Sequence, residues 1–237
     1  TVIVDSTVVC RMRREDVIDN ARIQAGDVVV GLASDGQAQY EEAWNGGTGS
    51  NGLTSARHDL FGPGWRERYP ECFDPGLPEE LVYTGPFNVT DTVEGAPLDA
   101  GKLVLSPTRT YAPVLVDLFK LGRGPLHGLV HCSGGGQTKV MHFAASDLHV
   151  IKDDLFPTPT LFKLIQQHSG TAWREMFQVY NMGHRMEVYT TPDHAQAVMD
   201  VARQHGVEAR LVGRVEKRTD GEPRLTIVGP GGTETYS

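Results

Sequence analysis

Residues 26–34 read Gly-Asp-Val-Val-Val-Gly-Leu-Ala-Ser, and this stretch decides the fold class. Its apolar run begins after a Gly-Asp turn and stops at Ser34, which is a length typical of a strand and short for a helix. Composition and length together therefore predict a buried strand at 28–33.

Strands and helices alternate along the chain on both sides of this run, so we predict an α/β or α+β fold. Two helices are predicted to begin at 106–108, ahead of apolar residues spaced by three and four, and near Thr138. Residues 62–100 hold many prolines and little periodicity, which indicates an irregular insertion. The other predicted strands cover 1–13, 126–132, 148–152, 186–189, 207–215 and 225–228, and the other predicted helices cover 53–61, 160–167, 172–180 and 192–205.

The composition is that of a folded globular chain of one or two domains. The 237 residues carry 22 Lys and Arg against 30 Asp and Glu, a net charge of −8, which argues against a nucleic-acid partner. No apolar run reaches the ~18 residues that a membrane span needs, so no membrane partner is expected. Three cysteines, Cys10, Cys72 and Cys132, form no Cys-x-x-Cys pair, and we expect a reduced, cytoplasmic protein.

A glycine-rich stretch at 47–52, Gly-Thr-Gly-Ser-Asn-Gly, formally matches the pattern of dinucleotide-binding loops. Such a site needs the loop directly after a strand, and residues 41–45 do not favour one. We therefore predict a loop that leads into the helix at 53–61, with Ser50 and Asn51 as candidate caps. Backbone N–H groups at such a helix start also suit an anion.

The residues His-Cys-Ser-Gly-Gly-Gly at 131–136 take a strand into a glycine run, and Lys139 follows near a predicted helix start. The glycines suit either an anion-binding nest or a tight structural turn. His131 suits acid–base chemistry or phosphate binding. The alternative is a structural role. Cys132 points away from His131 in an extended strand, so we predict a core position for it.

The remaining candidates carry weaker signals. His127 and His131 share a face of the predicted strand, and with His142 they suggest a metal. A metal site needs further ligands at suitable spacing, so no metal is predicted. Asn181 and Gly183 follow a helix and suit either its normal end or a ligand contact.

Six fragments in order carry a more specific signal than any one alone. The series resembles the C-terminal half of the aminoimidazole ribonucleotide synthetase family, also called phosphoribosylformylglycinamidine cyclo-ligases, over nearly the whole chain apart from the insertion. The fragments are residues 26–34, Ser-Asn-Gly-Leu at 50–53, Pro-Thr-Arg-Thr-Tyr at 107–111, residues 131–136, Met-Phe-Gln-Val-Tyr-Asn-Met-Gly at 176–183 and Leu-Val-Gly-Arg-Val at 211–215.

The resemblance implies an ATP-dependent ring closure in purine biosynthesis. Formylglycinamidine ribonucleotide and ATP give aminoimidazole ribonucleotide, ADP and phosphate. ATP phosphorylates the formyl amide oxygen, the amidine nitrogen attacks, and phosphate leaves. The resemblance places ATP and Mg²⁺ mainly on an N-terminal domain, through which a homodimer largely forms, and we expect this chain to lack that domain.

The same resemblance implies a domain organisation. Residues 1–20 would be the last strand and linker of the N-terminal ATP-binding domain, which leaves an orphan strand at 1–13. Residues 21–237 would be the C-terminal cyclo-ligase domain, a three-layer α/β/α arrangement that is partly ferredoxin-like. The isolated chain would then hold half an active site and be inactive alone.

Residue by residue, the resemblance implies one catalytic and several substrate-binding positions. His131 matches a histidine before the glycine run and is the candidate acid, base or polarising group. Arg109 matches the Pro-Thr-Arg segment of the family, and the resemblance implies that it either binds phosphate or serves as a structural cap. The candidate substrate-binding residues are Ser50, Asn51, Gly52, Arg109, Ser133, Gly134, Gly135, Gly136 and Asn181.

Two other functions fit the same residues. One is a related ATP-dependent enzyme of the superfamily that activates an oxygen of another substrate, and substrate competition would separate it from the purine enzyme. The other is a module that binds a ribotide without turnover.

Overall fold

A computed structural model describes residues 7–219 and 221–237 of the chain. It contains a seven-stranded sheet with the order β2-β4-β1-β5-β3-β6-β7. The strands are β1 (Val28–Ala33), β2 (Leu126–His131), β3 (Leu148–Lys152), β4 (His184–Thr190), β5 (Ala209–Lys217), β6 (Leu225–Gly229) and β7 (Gly232–Tyr236). The α-helices are α1 (Leu53–Leu60), α2 (Gly64–Arg68), α3 (Ala100–Val104), α4 (Ala112–Lys120), α5 (Thr160–Ser169), α6 (Trp173–Val179) and α7 (Pro192–Gln204), and 3₁₀ turns lie at Arg14–Asp16, Asn20–Arg22, Pro70–Cys72, Glu79–Leu81 and Gly136–His142.

Strand β1 lies inside the sheet and pairs antiparallel with β4 and β5. Its side chains alternate between two cores, with Val29 and Ala33 in one and Val30 and Leu32 in the other. Helices α1, α3, α5 and α6 pack on the first face, and α4 and α7 pack on the second. The predicted three-layer α/β/α arrangement is confirmed, and an unbroken apolar strand is the pattern expected of a sheet covered on both faces.

The two ends of the chain differ from the sequence prediction. Of the strand predicted at 1–13, residues 1–6 lie outside the described residues, and residues 7–13 are exposed and form no strand. An extended segment is stable only beside a paired neighbour, and no described strand pairs with this one. At the other end the sequence analysis missed β7, whose polar residues give little strand signal although a Pro-Gly-Gly turn precedes them.

The helix predicted to begin at 106–108 begins later, at Ala112, with Pro113 in its first turn. Residues 107–110 have no regular secondary structure instead, and the Arg109 side chain contacts the segment that follows β1. The predicted insertion at 62–100 is irregular as expected, but it contains α2, and Val82 and Tyr83 pack into the main core. Within 7–219 and 221–237, no helix is long and apolar enough to cross a membrane.

Candidate functional site

A cavity of about 160 Å³ lies where β2 ends and β4 begins. These strands are antiparallel neighbours, with His131 opposite Met186, so the end of one and the start of the other meet at the same edge of the sheet. The 47–52 loop and the end of α6 close the cavity. Its lining residues are Thr48, Ser50, Asn51, Thr108, His131, Cys132, Ser133, Val179, Tyr180, Asn181 and Arg185.

Five of the predicted site residues lie together in this lining, although they come from three distant parts of the chain. They are Ser50, Asn51, His131, Ser133 and Asn181. Gly52 and the glycines at 134–136 are sequence neighbours of lining residues but are not lining residues themselves. Their substrate-binding role stays a prediction.

Glycine is required at two of these positions by close approach. Gly52 has φ +74°, and a Cβ there would overlap the ring of Tyr180. Gly136 has φ +49°, and a Cβ there would lie 2.5 Å from the carbonyl oxygen of Phe177. Both glycines therefore let the cavity loops pack against the 177–180 segment.

The capping prediction for Ser50 and Asn51 is wrong. Gly52 is the N-cap of α1, and no side chain caps this helix. The Asn51 amide donates instead to the carbonyl oxygen of Val179, which joins the loop to the end of α6. The Asn51 side chain therefore makes a tertiary contact, although the local sequence pattern predicted that it would cap the helix.

His131 presents its imidazole to the cavity. The side chain is half-buried, and it makes no hydrogen bond to any described residue. Burial lowers the pKa of His131, and the positive charges of Arg185 and Lys139 lower it further. The ring is thus neutral at neutral pH, and a neutral imidazole can accept a proton or a hydrogen bond from a ligand.

Arg109 does not line the cavity, and its guanidinium is fully used inside the protein. It donates to the carbonyl oxygens of Ala33, Asp35 and Gly36 and to both carboxylate oxygens of Glu41. Burial opposes ionisation of Glu41, but the hydrogen bonds from Arg109 hold the pKa of that carboxyl below its usual range. The structural alternative for Arg109 replaces the expected phosphate contact.

Asn181 is 3% exposed and also holds the cavity wall together. Its Nδ2 donates to the carbonyl oxygen of Gly47 at 2.8 Å, and its Oδ1 accepts from the Gly183 N–H at 3.1 Å. These bonds fix the 47–52 loop against the start of β4, so Asn181 orients the wall as well as lining it.

Arg185, which was not predicted from the sequence, lines the cavity from β4. This side chain is 3% exposed, and its Nη2 donates to the carbonyl oxygen of Gly47 at 2.6 Å. A usable signal was present, because Arg185 and Glu187 alternate with apolar residues in a strand whose seven residues are all buried. A charged side chain in such a strand needs either a partner or a function.

A buried ionic network surrounds Glu187, which lies two residues further along β4. Glu187 accepts hydrogen bonds from Lys152, from the Tyr189 hydroxyl at 2.8 Å and from His184 at 3.0 Å. Lys152 also donates to the carbonyl oxygen of Gln137 at 2.6 Å. The network thus connects β3, β4 and the 3₁₀ turn at Gly136–His142 next to the cavity.

The cavity does not fit a Mg²⁺ ion. Its lining residues include no carboxylate, and Mg²⁺ prefers oxygen ligands of that kind. Within the described ranges no group of three His, Cys, Asp or Glu side chains is placed to hold a metal. His127 is instead bonded to Asp27 at 2.7 Å, and burial raises the pKa of the Cys132 thiol, so neither supplies a ligand here.

The fold and the site define an α/β domain with a small polar cavity built from glycine-containing loops at one edge of its sheet. The family model of the AIR synthase related protein, C-terminal domain, matches residues 24–226. The chain belongs to this family, as the ordered fragments predicted.

Curated relatives carry the name phosphoribosylformylglycinamidine cyclo-ligase. The protein from Methanococcus vannielii is 28% identical over 218 residues, which are 91% of this chain and 52% of the relative. The protein from Magnetococcus marinus is 29% identical over 217 residues, which are 91% of this chain and 51% of the relative. The chain therefore spans about half the length of the curated relatives it matches.

Solved structures that match this chain include T. maritima PurL complexed with FGAR, with a TM-score of 0.47 and 18% identity over 93% of this chain and 28% of that one. The hydrogenase maturation protein HypE has a TM-score of 0.48 and 14% identity over 92% of this chain and 55% of that one. The family assignment itself rests on the family model, which matches most of the chain.

Proposed function

We propose that this chain supplies one half of the active site of an ATP-dependent cyclo-ligase that makes aminoimidazole ribonucleotide from formylglycinamidine ribonucleotide. The observation that carries the proposal is the unbonded, neutral imidazole of His131 in a cavity that also holds Ser50, Asn51 and Ser133. Family membership and the names of the curated relatives support the reaction class.

His131 has a specific task in this proposal. As the ring closes, the amidine nitrogen forms a bond to the formyl carbon and loses a proton, and the phosphorylated formyl oxygen leaves as phosphate. A neutral imidazole within reach of that nitrogen accepts the proton. The amide of Asn51 and the hydroxyls of Ser50 and Ser133 orient the substrate, which lowers the entropic cost of closing the ring.

ATP and Mg²⁺ are assigned in this proposal to a partner domain that faces the cavity. The lining includes no carboxylate among the described residues, so this half serves the ribotide and the other half serves the nucleotide. In the same proposal, the complete enzyme is a homodimer that forms largely through this partner domain.

Replacement of His131 by Asn tests the catalytic assignment. In the assembly that contains the partner half, we expect kcat for ATP-dependent cyclisation to fall about 10²- to 10⁴-fold, because general-base catalysis contributes about that much. Binding of the ribotide is expected to change far less. Rates are measured by the appearance of the aromatic amine product, with His142→Asn, an exposed histidine outside the lining, as the matched control. Equal rates for wild type and His131→Asn would remove His131 from the mechanism.

The division of labour is tested on the purified protein as it exists. The intact mass of everything in the sample shows whether a second polypeptide accompanies the 25.9 kDa chain. We expect turnover only when a partner half is present, and ribotide binding without turnover by the chain alone. Ribotide binding with no cyclisation by the complete assembly would instead favour the non-catalytic binding module.

A further inference from the structure

Arg185 is a buried cation that forms no salt bridge with a carboxylate among the described residues. A guanidinium has five N–H donors, and the one described acceptor of Arg185 is the carbonyl oxygen of Gly47. Arg185 forms no salt bridge within 7–219 and 221–237, although its side chain is 3% exposed. Arg185 lines the cavity, and its remaining donors have no described acceptor in the protein.

Arg109 provides an internal comparison, because it is equally buried and lies close enough to affect Arg185. Arg109 has five described acceptors, two of them on Glu41. The charge of Arg109 is compensated by Glu41, whereas Arg185 pairs with no carboxylate among the residues that the structure describes. Burial lowers the pKa of Arg185, and the charge of Arg109 lowers it further, whereas Tyr111 and Cys132 act in the opposite direction.

The loop around Arg185 is shaped to keep this cation in place. Gly49 has φ +64°, and a Cβ at this position would overlap the guanidinium. The hydroxyl-bearing residues Ser50, Thr108 and Ser133 line the same cavity, and the described lining holds no acidic side chain. Lys139 lies near enough to His131 to lower the pKa of that histidine, so the local charge is positive in a chain of net charge −8.

We propose that Arg185 forms an oxyanion subsite that binds a phosphoryl group, with the hydroxyls of Ser50 and Ser133 as further donors. A planar guanidinium pairs with two oxygens of a phosphate at once, and hydroxyls complete its hydrogen bonds. The subsite deepens the proposed function and rests on it for the identity of the full substrate. A buried, uncompensated cation is the charge that such a ligand requires.

Two molecules of the proposed reaction carry a phosphoryl group, the ribotide and the nucleotide. Ribose 5-phosphate presents the first and a non-hydrolysable ATP analogue presents the second. Ribose without its phosphate is the matched negative probe. Tighter binding of ribose 5-phosphate assigns the subsite to the ribotide, and tighter binding of the analogue assigns it to the transferred phosphoryl group.

The experiment measures these affinities by calorimetry on wild type, Arg185→Met and Arg185→Lys, with Arg203→Met, an exposed arginine on α7, as the control. We expect Arg185→Met to weaken phosphoryl binding by about 30-fold or more, with an intermediate loss in Arg185→Lys, which keeps the charge without the planar fork. Arg203→Met is expected to bind as wild type does.

Thermal unfolding without ligand separates this role from a structural one. An anion-binding Arg185 is not needed for folding, so Arg185→Met is expected to melt at or above the wild-type temperature, because a buried uncompensated charge is removed. A large fall in melting temperature together with unchanged phosphoryl binding would overturn the proposal. So would the absence of binding of both phosphorylated probes to the wild-type protein.

Cyclisation assays distinguish this failure from that of the proposed function. Phosphoryl binding that depends on Arg185 in a protein that does not cyclise the ribotide would leave the subsite standing and refute the reaction. Cyclisation by the wild-type assembly, together with an unchanged affinity of Arg185→Met for the phosphorylated probes, would support the reaction and refute the subsite.

Discussion

At the scale of single residues, the environment of His131 decides what its side chain can do. Burial and two nearby cations, Arg185 and Lys139, all favour the neutral imidazole. Because the pKa of His131 lies below the ordinary histidine value of about 6.5, a reaction that uses it as a base keeps its rate at neutral pH. The rate is lost only as the pH falls through the lowered pKa.

Lys139→Gln tests this electrostatic account. Removal of a positive charge stabilises the protonated imidazole, so we expect the pKa of His131 to rise. NMR titration of the histidine ring protons measures the shift. Lys163→Gln is the control, because Lys163 is not among the charges that act on His131, and it is expected to leave the titration unchanged. No difference between the two variants would contradict this assignment of charges.

At the scale of elements, Arg109 holds the irregular segment 107–110 against the loop that follows β1. Its bonds end on three carbonyl oxygens of 33–36 and on Glu41. The loop in turn carries Asn45, whose Nδ2 donates to the carbonyl oxygen of Pro107 at 2.9 Å. These bonds fix both segments at the cavity end of the sheet.

Arg109→Gln is expected to lower the free energy of unfolding by about 3–5 kcal/mol, because it leaves Glu41 without its cation in a half-buried site. Urea denaturation measures the change. Arg203→Gln on α7, whose side chain is half exposed, is expected to change it by about 0.5 kcal/mol or less. A comparably small loss for Arg109→Gln would show that water replaces these bonds without cost.

His58 of helix α1 is 6% exposed and packs edge-on against Tyr83, with 4.5 Å between the ring centroids. Neither ring nitrogen has a described hydrogen-bond partner. Burial and Arg57 lower the pKa of His58, and Asp59 opposes them to a lesser degree. The unfolded chain therefore binds a proton more readily than the folded one, and stability declines as the pH falls below about 6.5.

His58→Phe removes this titration while it keeps an aromatic ring against Tyr83. We expect the gain in melting temperature over wild type to be larger at pH 5.5 than at pH 8. The exposed His142→Phe serves as the control and is expected to show no such difference. The same gain at both pH values in His58→Phe would mean that packing, and not protonation, controls the effect.

At the scale of the whole molecule, the network of Lys152 and Glu187 links strands that are not neighbours. Strands β1 and β5 lie between β3 and β4 in the sheet, so Lys152 crosses beneath them to reach Glu187. Burial alone would raise the pKa of Glu187, but the charges and hydrogen bonds of Lys152 and His184 lower it to about 2. The carboxylate is thus ionised in the core, and its position depends on its partners.

Lys152→Met is expected to reduce the free energy of unfolding by about 3–5 kcal/mol, because it leaves a buried carboxylate without its cation. The double variant Lys152→Met, Glu187→Gln removes both charges and is expected to recover much of that loss. Urea denaturation of wild type, both single variants and the double variant measures the coupling. Simple addition of the two single effects would rule out the network.

Much of the architecture could be predicted from the sequence because the signal for each element is local. The strands at 28–33, 126–132 and 148–152 and the helices at 160–167 and 192–205 lie within two residues of their predicted bounds. The polar strand β7 was missed because it is held by pairing with β6 and not by its own composition.

The site could be predicted only in part. His131, Ser50, Asn51, Ser133 and Asn181 were identified through ordered fragments of a family, and the structure brings them into one cavity. Whether each contacts substrate stays a prediction. Arg185 was missed because the alternation of charged and apolar residues shows that its charge needs a partner or a function, and it does not show which of the two applies.

The sequence by itself determined the order of strands and helices, the two apolar faces of β1 and the membership of a family. Only the tertiary structure decided which buried charges are compensated. Arg109 and Arg185 are the same residue type at the same burial, yet the fold brings a carboxylate to one and an open cavity to the other. The acceptor of Arg185 lies 138 residues away along the chain, and so distant a partner leaves no trace in the local pattern of residues.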